Sequence, residues 1–278
     1  MSRNNNLGNS SAKTNSVSFP GNSRSSKISC VMIACNEEAR IERALRAVQW
    51  CGDVVVVDSG STDRTNEIAA RCGARVIRHA FEGYGKQKIF ATEQATYDWV
   101  LSIDADEVVS EELAQEIQAQ LTNPADLQAV GFEIPITNIF MGQEIKYWGE
   151  GPRLHLRLFD RRKGGFTPDV VHEGVVVQGV VQKLSGKVLH YSYRNVFHYF
   201  QKFNEYTTRG AEKLFRTGTK PKSVVNLVFR VPIKFVNLYF FRGGFINGFP
   251  GFVWCFFSSI YPTVKYIKLN ELWLERRS

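Results

Sequence analysis

The chain has 278 residues, of which 44% are hydrophobic and 22% charged, with a formal net charge of +8. That is enough apolar material for one large or two modest domains, and it excludes a chain disordered throughout. Residues 1–27 carry four basic side chains and no acid, residues 220–278 carry nine against Glu271 and Glu275, and the stretch between is net −3; the basicity belongs to the two ends, which argues against a nucleic-acid binder.

Fourteen of the first 26 residues are Ser or Asn, too polar to offset their ordering entropy, so residues 1–26 are expected to be a disordered tail. No apolar run of a secretory signal occurs there, and the chain is expected to start in the cytosol. Free thiols in a reducing compartment are the expectation for the cysteines at 30, 35, 51, 72 and 255, which form no CxxC pair.

From residue 28 strands and helices alternate. ISCVMIA (28–34) is an apolar run suited to a strand covered on both faces. A helix is predicted over 37–50 from Ile41, Leu45 and Val48, and a second buried strand over 53–58. The next helix, 63–72, has Ser61 or Asp63 as its cap and Gly73 just past its end. Residues 74–79 read as strand, 86–97 as helix and 99–103 as a fourth strand, before a helix capped by Ser110. Such spacing predicts an α/β fold with a mostly parallel sheet. After Pro124 come β-rich pieces at 129–135, 153–159, 170–179 and 187–193, separated by long Gly-rich connections expected to be loops built over a site rather than a second domain, and the chain turns helical again from Asn195.

Ligands of open parallel sheets bind at the carboxyl ends of strands. Polar clusters fall at those ends: Cys35-Asn36-Glu37-Glu38, Asp58-Ser59-Gly60-Ser61-Thr62-Asp63, and Asp104-Ala105-Asp106-Glu107. Each alone is an ordinary turn or helix cap; their joint placement on one sheet is what points to a site. A dinucleotide-binding Rossmann fold is excluded, because CNEEAR offers no G-x-G-x-x-G and puts carboxylates where a pyrophosphate needs bare amides.

The motifs CNEE (35–38), DSGSTDRT (58–65), GYGKQKIFA (83–91) and DADE (104–107) resemble those of the family 2 glycosyltransferases with the GT-A fold. LRLF (156–159), VHE (171–173) and LHYSY (189–193) are similar to the bacterial lipopolysaccharide-core β-1,4-glucosyltransferase branch. The resemblance implies a GT-A catalytic domain over 27–194, a divalent cation, Mg²⁺ or Mn²⁺, and a nucleotide-diphosphate sugar donor, with UDP and glucose as first expectations. It implies Asp106 as metal ligand, Asp104 nearer the ribose or a metal-bound water, and Asn36, Glu37 and Asp58 on the base and ribose. Lys88, with Lys86 as a second candidate, would contact the donor, and Glu107 is expected to be a solvated residue. Chemically this fits, since a hard cation takes oxygen ligands and stabilises the charge that grows on a departing diphosphate. Ser59 stands where the wider family often has a second acid, and Arg153 and His155 precede LRLF where the branch is expected to have one.

Inverting transfer also needs a base for the acceptor hydroxyl. Glu173 is the first candidate, ahead of Asp169 and Glu150, with His172 in an orienting role. A non-catalytic nucleotide-sugar or glycan-binding module on the same fold is the alternative, against which the intact Asp104/Asp106 pair argues.

Residues 195–278 are predicted to be a helical, aromatic and basic membrane-associating extension. From Gly243 to Val264 no residue is charged, a length that would span a bilayer, but Gly248, Pro250, Gly251, Ser258, Ser259 and Pro262 interrupt it. Helices lying on the membrane with Lys and Arg on anionic head groups are therefore expected, a spanning segment or an internal packing face remaining open. Such a tail suits a peripheral enzyme of the cytoplasmic face of the inner membrane with a lipid-linked glycan acceptor.

Overall fold

A computed structural model describes residues 26–122, 127–146, 153–167 and 174–276. Residues 1–25, Glu150, Asp169, His172 and Glu173 lie outside them.

Strand β1 (Ser26–Ala34) sits between β2 (Cys51–Asp58) and β4 (Trp99–Ser102), with β3 (Arg75–Arg78) beyond β2, all parallel. Its apolar run is explained by cover on both faces. Ile28, Cys30, Met32 and Ala34 join one core with α1 (Ile41–Arg46), α2 (Thr65–Arg71) and α4 (Glu111–Gln120). Val31 joins Val55, Val57 and α3 (Tyr84–Glu93) in a second. Because β2 and β4 flank β1 on opposite sides, the strand order reverses at β1, and a crevice opens at the carboxyl ends of β1 and β4.

The first helices are shorter than their periodicity predicts. Regular α1 waits until Ile41 because amides ahead of it serve the neighbouring loop: Glu37 N donates to Thr65 Oγ1 and Glu38 N to Asp63 Oδ2. The Asp63 carboxylate also accepts from Thr65 N, so α2 begins after it rather than at it. Gly73, with φ +80°, closes α2 as expected. Ser110 caps α4, its hydroxyl accepting from Leu113 N at 3.2 Å.

The β-rich pieces form strands, most of which extend the sheet. β8 (Arg153–Asp160) pairs antiparallel with β4 and with β6 (Ala129–Phe140). β12 (Val188–His190) runs parallel to β6 and antiparallel to β5 (Glu107–Val109). β7 (Gln143–Glu144) and β11 (Val180–Lys183) also pair with β6, while β9 (Gly164–Phe166) and β10 (Val175–Val177) form a separate ribbon. The reason is continuity of the core: Phe132, Ile134, Leu158 and Val188 are fully buried in the same cluster as β1.

The C-terminal part comprises α5 (Val196–Arg216), α6 (Val224–Val236) with a π-helical turn over Asn237–Phe241, a 3₁₀ turn over Gly244–Asn247, and α7 (Gly248–Glu275). Tyr199 of α5 and Trp254 of α7 meet Phe140 of β6 edge-on, tying both helices to the sheet. The interruptions expected in 243–264 do not break α7. Pro250 lies in the first turn, where no N–H is needed, and Gly251 lets the Gly244 carbonyl approach where a Cβ would collide. Pro262 sits inside the helix, which continues past it.

Candidate functional site

A cleft of about 860 Å³ opens at the carboxyl ends of β1 and β4. Its floor includes Ile33, Ala34 and Ala105, one wall comes from the loops after β1 and β2 and from α3, and the other from the β12–α5 segment. Of the expected site residues, Asn36, Glu37, Lys88, Asp104 and Asp106 all line it.

Asn36 has φ +56° and staples two loops together, its amide donating to Ser61 Oγ and its Oδ1 accepting from Thr62 N, each at 2.9 Å. Asp58 is not among the lining residues. It is fully buried, and its carboxylate accepts from Gly60 N, Ser61 N and Asn66 Nδ2, so it shapes the Ser59–Thr62 turn from beneath. Ser59, from that turn, does line the cleft. Lys86 faces away and pairs with Glu82 at 3.0 Å on the surface.

The charges form two linked groups. Arg40 binds Glu37 through two bonds of 2.7 Å and reaches Asp106 Oδ2 at 3.2 Å and the Tyr191 carbonyl at 3.3 Å. His190 Nε2 lies 3.3 Å from Asp106 Oδ1. Burial works against charge on Asp106, but His190 and Arg40 outweigh it and hold the carboxyl below its usual range. Burial likewise disfavours the His190 imidazolium, and the Asp106 carboxylate raises its pKa in spite of that.

In the second group Asp104 Oδ1 meets Lys88 at 3.0 Å and Oδ2 meets Arg157 at 3.2 Å, while Arg157 also holds Glu107 at 2.9 Å. Burial opposes the Asp104 charge, yet Arg157 and Lys88 keep its carboxyl well below the usual range. Glu107 is not the solvated residue expected. It is 1% exposed, and its Oε2 accepts from Asp104 N at 2.9 Å. Burial pushes its pKa up despite Arg157.

Sequence reasoning missed Arg40, Arg157, His190 and the α5 residues. Arg157 and His190 stood inside the quoted LRLF and LHYSY motifs; the antiparallel pairing of β12 with β5, which sets His190 opposite Glu107, is what brings His190 to Asp106. Among the described residues no cluster of three or more His, Cys, Asp or Glu is poised around a cation. Asp106 supplies a hard oxygen on the cleft surface, which fits a cation whose other ligands are phosphate oxygens and water, and His190 beside it could add an imidazole nitrogen only in its neutral form.

Residues 29–171 match the family described as glycosyl transferase family 2. The chain is 31% identical to the lipopolysaccharide core biosynthesis glycosyltransferase LpsC of Rhizobium meliloti, over 88% of this chain and 92% of that protein. It is 33% identical to an uncharacterized glycosyltransferase of Rickettsia typhi, over 91% of this chain and 89% of the relative. Among solved structures, glucosyl-3-phosphoglycerate synthase from Mycobacterium tuberculosis, in complex with Mn²⁺, UDP and glucosyl-3-phosphoglycerate, aligns with a TM-score of 0.33 and 25% identity, over 42% of this chain and 45% of that one.

Proposed function

The chain belongs to glycosyl transferase family 2 and is a glycosyltransferase of GT-A-like fold, and we propose that it transfers a hexose, glucose first, from a UDP-sugar to a lipid-linked or lipopolysaccharide-core glycan with inversion. The observation that carries this reading is the meeting of Asp106, His190 and Arg40 at the strand-order reversal. The relative named for lipopolysaccharide core biosynthesis supports the acceptor class.

Asp106 and His190 would hold a Mg²⁺ or Mn²⁺ ion, which when bound neutralises charge growing on the diphosphate as the sugar–phosphate bond breaks. Arg40 holds both Glu37 and Asp106, and so fixes the donor loop relative to the carboxylate. Lys88, nine-tenths buried beside Asp104, places a cation on the donor wall. Asn36 and Ser59 offer polar edges for the nucleoside, over a turn that Asp58 makes rigid. The 27–194 segment carries this donor chemistry, and α5 of the C-terminal region closes the cleft.

Glu173, from the VHE motif, is proposed as the base. Glu173→Gln is expected to lower kcat by roughly 10²–10⁴-fold with UDP affinity retained; unaltered kcat moves the role to Asp169 or Glu150. The overall reading is tested with a panel of nucleotide sugars and core-glycan acceptors, with and without Mn²⁺ or Mg²⁺. Acceptor-dependent, metal-dependent nucleotide release is expected; binding of donor without turnover on any acceptor would remove it.

The same reading includes attachment to the cytoplasmic face of the inner membrane. Among the described residues one helical stretch, Val224–Phe241, is long and apolar enough to cross a bilayer by length and composition. Its polarity is inverted for a helix in water: Arg230 stacks on Tyr266 of α7, while Val225, Val228, Phe229 and Ile233 are each more than half exposed. Phe241, Phe245, Ile246 and Phe249 project at the turn between α6 and α7, and no acid occurs between Glu212 and Glu271. An apolar face rimmed only by cations suits the interface of an anionic bilayer. Phe241→Asp with Phe249→Asp is expected to weaken sedimentation with phosphatidylglycerol vesicles about tenfold or more, with the melting temperature kept. Undiminished co-sedimentation would count against this face.

A further inference from the structure

The two walls of the cleft differ in how their charges are matched. On the β1–β4 side each lining cation has a carboxylate: Arg40 has Glu37 and Asp106, and Lys88 has Asp104. On the α5 side Arg209 pairs with Glu205, whereas Arg194 and Lys202 have no carboxylate partner among the described residues. Lys202 Nζ donates to the Ser192 carbonyl at 3.1 Å and sits 5.7 Å over the Tyr193 ring. That is a half-buried ammonium in direct contact with a neutral oxygen and an aromatic face, an arrangement that an incoming anion would stabilise. Burial keeps its pKa below the usual lysine range even though the Asp106 and Glu37 carboxylates across the cleft pull it up. His198 lies one turn before Lys202 and also lines the cleft; its Nδ1 accepts the Arg194 amide at 3.2 Å, so the neutral ring carries its proton on Nε2.

We propose that Arg194, His198 and Lys202 form an anion subsite on the acceptor side of the cleft, taking a phosphate or carboxylate substituent of the acceptor glycan. The assignment to the acceptor rests on the transferase reading above. Tyr206 lines the same wall, is nearly half exposed, and offers a face against which a sugar ring packs. A donor diphosphate has the same chemistry as such a substituent. It belongs beside Ser59, Lys88 and Asp106 on the other wall, and the two sources separate by experiment.

The full chain is titrated by intrinsic tryptophan fluorescence with UDP plus Mn²⁺, with mannose 6-phosphate and with mannose. Wild type is compared with Arg194→Gln and with Lys202→Met, which keeps the stem against Tyr193 and removes the charge. Wild type is expected to bind mannose 6-phosphate about tenfold or more tighter than mannose, a preference that shrinks with added salt. Each substitution is expected to remove most of that preference while the Kd for UDP–Mn²⁺ stays within about twofold. Equal affinity for the two sugars in wild type overturns the subsite. So does a fall in UDP–Mn²⁺ affinity in both variants with sugar-phosphate binding retained, which would give these cations to the donor. If Lys202→Met melts early, the exposed Arg194→Gln decides alone. Wild type that fails to bind UDP–Mn²⁺ removes the UDP-sugar donor from the proposed function, while the sugar-phosphate preference still reads the subsite itself.

Discussion

Asp106→Ala is expected to reduce sugar transfer about 10³-fold, ~4 kcal/mol of transition-state stabilisation. Its carboxylate is the acid of the cleft that faces the imidazole of His190, and Arg40 already has Glu37 as a second partner. Removal therefore strips the proposed cation of its carboxylate while leaving the arginine compensated. Asp106→Asn keeps the volume and loses the charge, so it should share the defect; a purely steric role would spare it. Calorimetric titration with Mn²⁺ in the presence of UDP should show cation binding in wild type and none in either variant. Transfer at wild-type rate in Asp106→Ala would end the metal assignment.

Asp104→Ala should behave differently. Both Asp104 oxygens are taken by Lys88 and Arg157, so its loss strips Lys88 of its carboxylate, leaves Arg157 paired with Glu107, and disturbs the floor as well as the donor wall. A weakened UDP affinity accompanied by a lower melting temperature is the expected signature, in contrast to Asp106→Ala, where folding is kept.

The alternation of strand and helix was legible because the central parallel strands β1, β2 and β4 are buried on both faces and read as near-continuous apolar runs. The polar clusters were legible for the same reason: acids stand out at the ends of such runs. What one strand end could not reveal was its partner. Glu107 looked solvated because Arg157, which neutralises it, arrives from β8 across an antiparallel pairing with β4. His190 reaches Asp106 only through the β12–β5 pair. Asp58 carries a competing local signal. The DSGS sequence is a turn in which backbone N–H groups occupy the carboxylate, a local signal that competes with any ligand role. In the C-terminal region the charge-free run at 243–264 drew attention, yet its Trp254 and Cys255 are buried and the more exposed apolar face belongs to α6. Truncating the run would therefore remove Trp254 and uncover Phe140 and Tyr199, which is why substitutions at Phe241 and Phe249 are the cleaner test.

Arg157→Met is expected to cost about 3–5 kcal/mol of folding stability, because it leaves Glu107 buried without its counter-charge. For a chain of this size that is a fall in Tm on the order of 10 °C. The cost should depend on pH. The folded pKa of Glu107 is already above its unfolded value, so its contribution to stability is present in acid and is lost as pH rises through the folded pKa. Without Arg157 that pKa climbs further and the loss deepens. Asp104 acts with the same sign: Arg157 helps depress its pKa, which stabilises the fold above the unfolded value, and that contribution shrinks in the variant. The gap in Tm between wild type and Arg157→Met should thus widen from about pH 4 toward neutrality and narrow in acid. Adding Glu107→Gln should recover much of the loss at neutral pH, since the amide oxygen can still accept from Asp104 N and no charge is stranded. A variant that melts like wild type, or a gap unchanged between pH 4 and 7, would show that Arg157 does not compensate Glu107. An intact Tm with impaired UDP binding would instead place the Arg157 contribution in holding Asp104 for the donor.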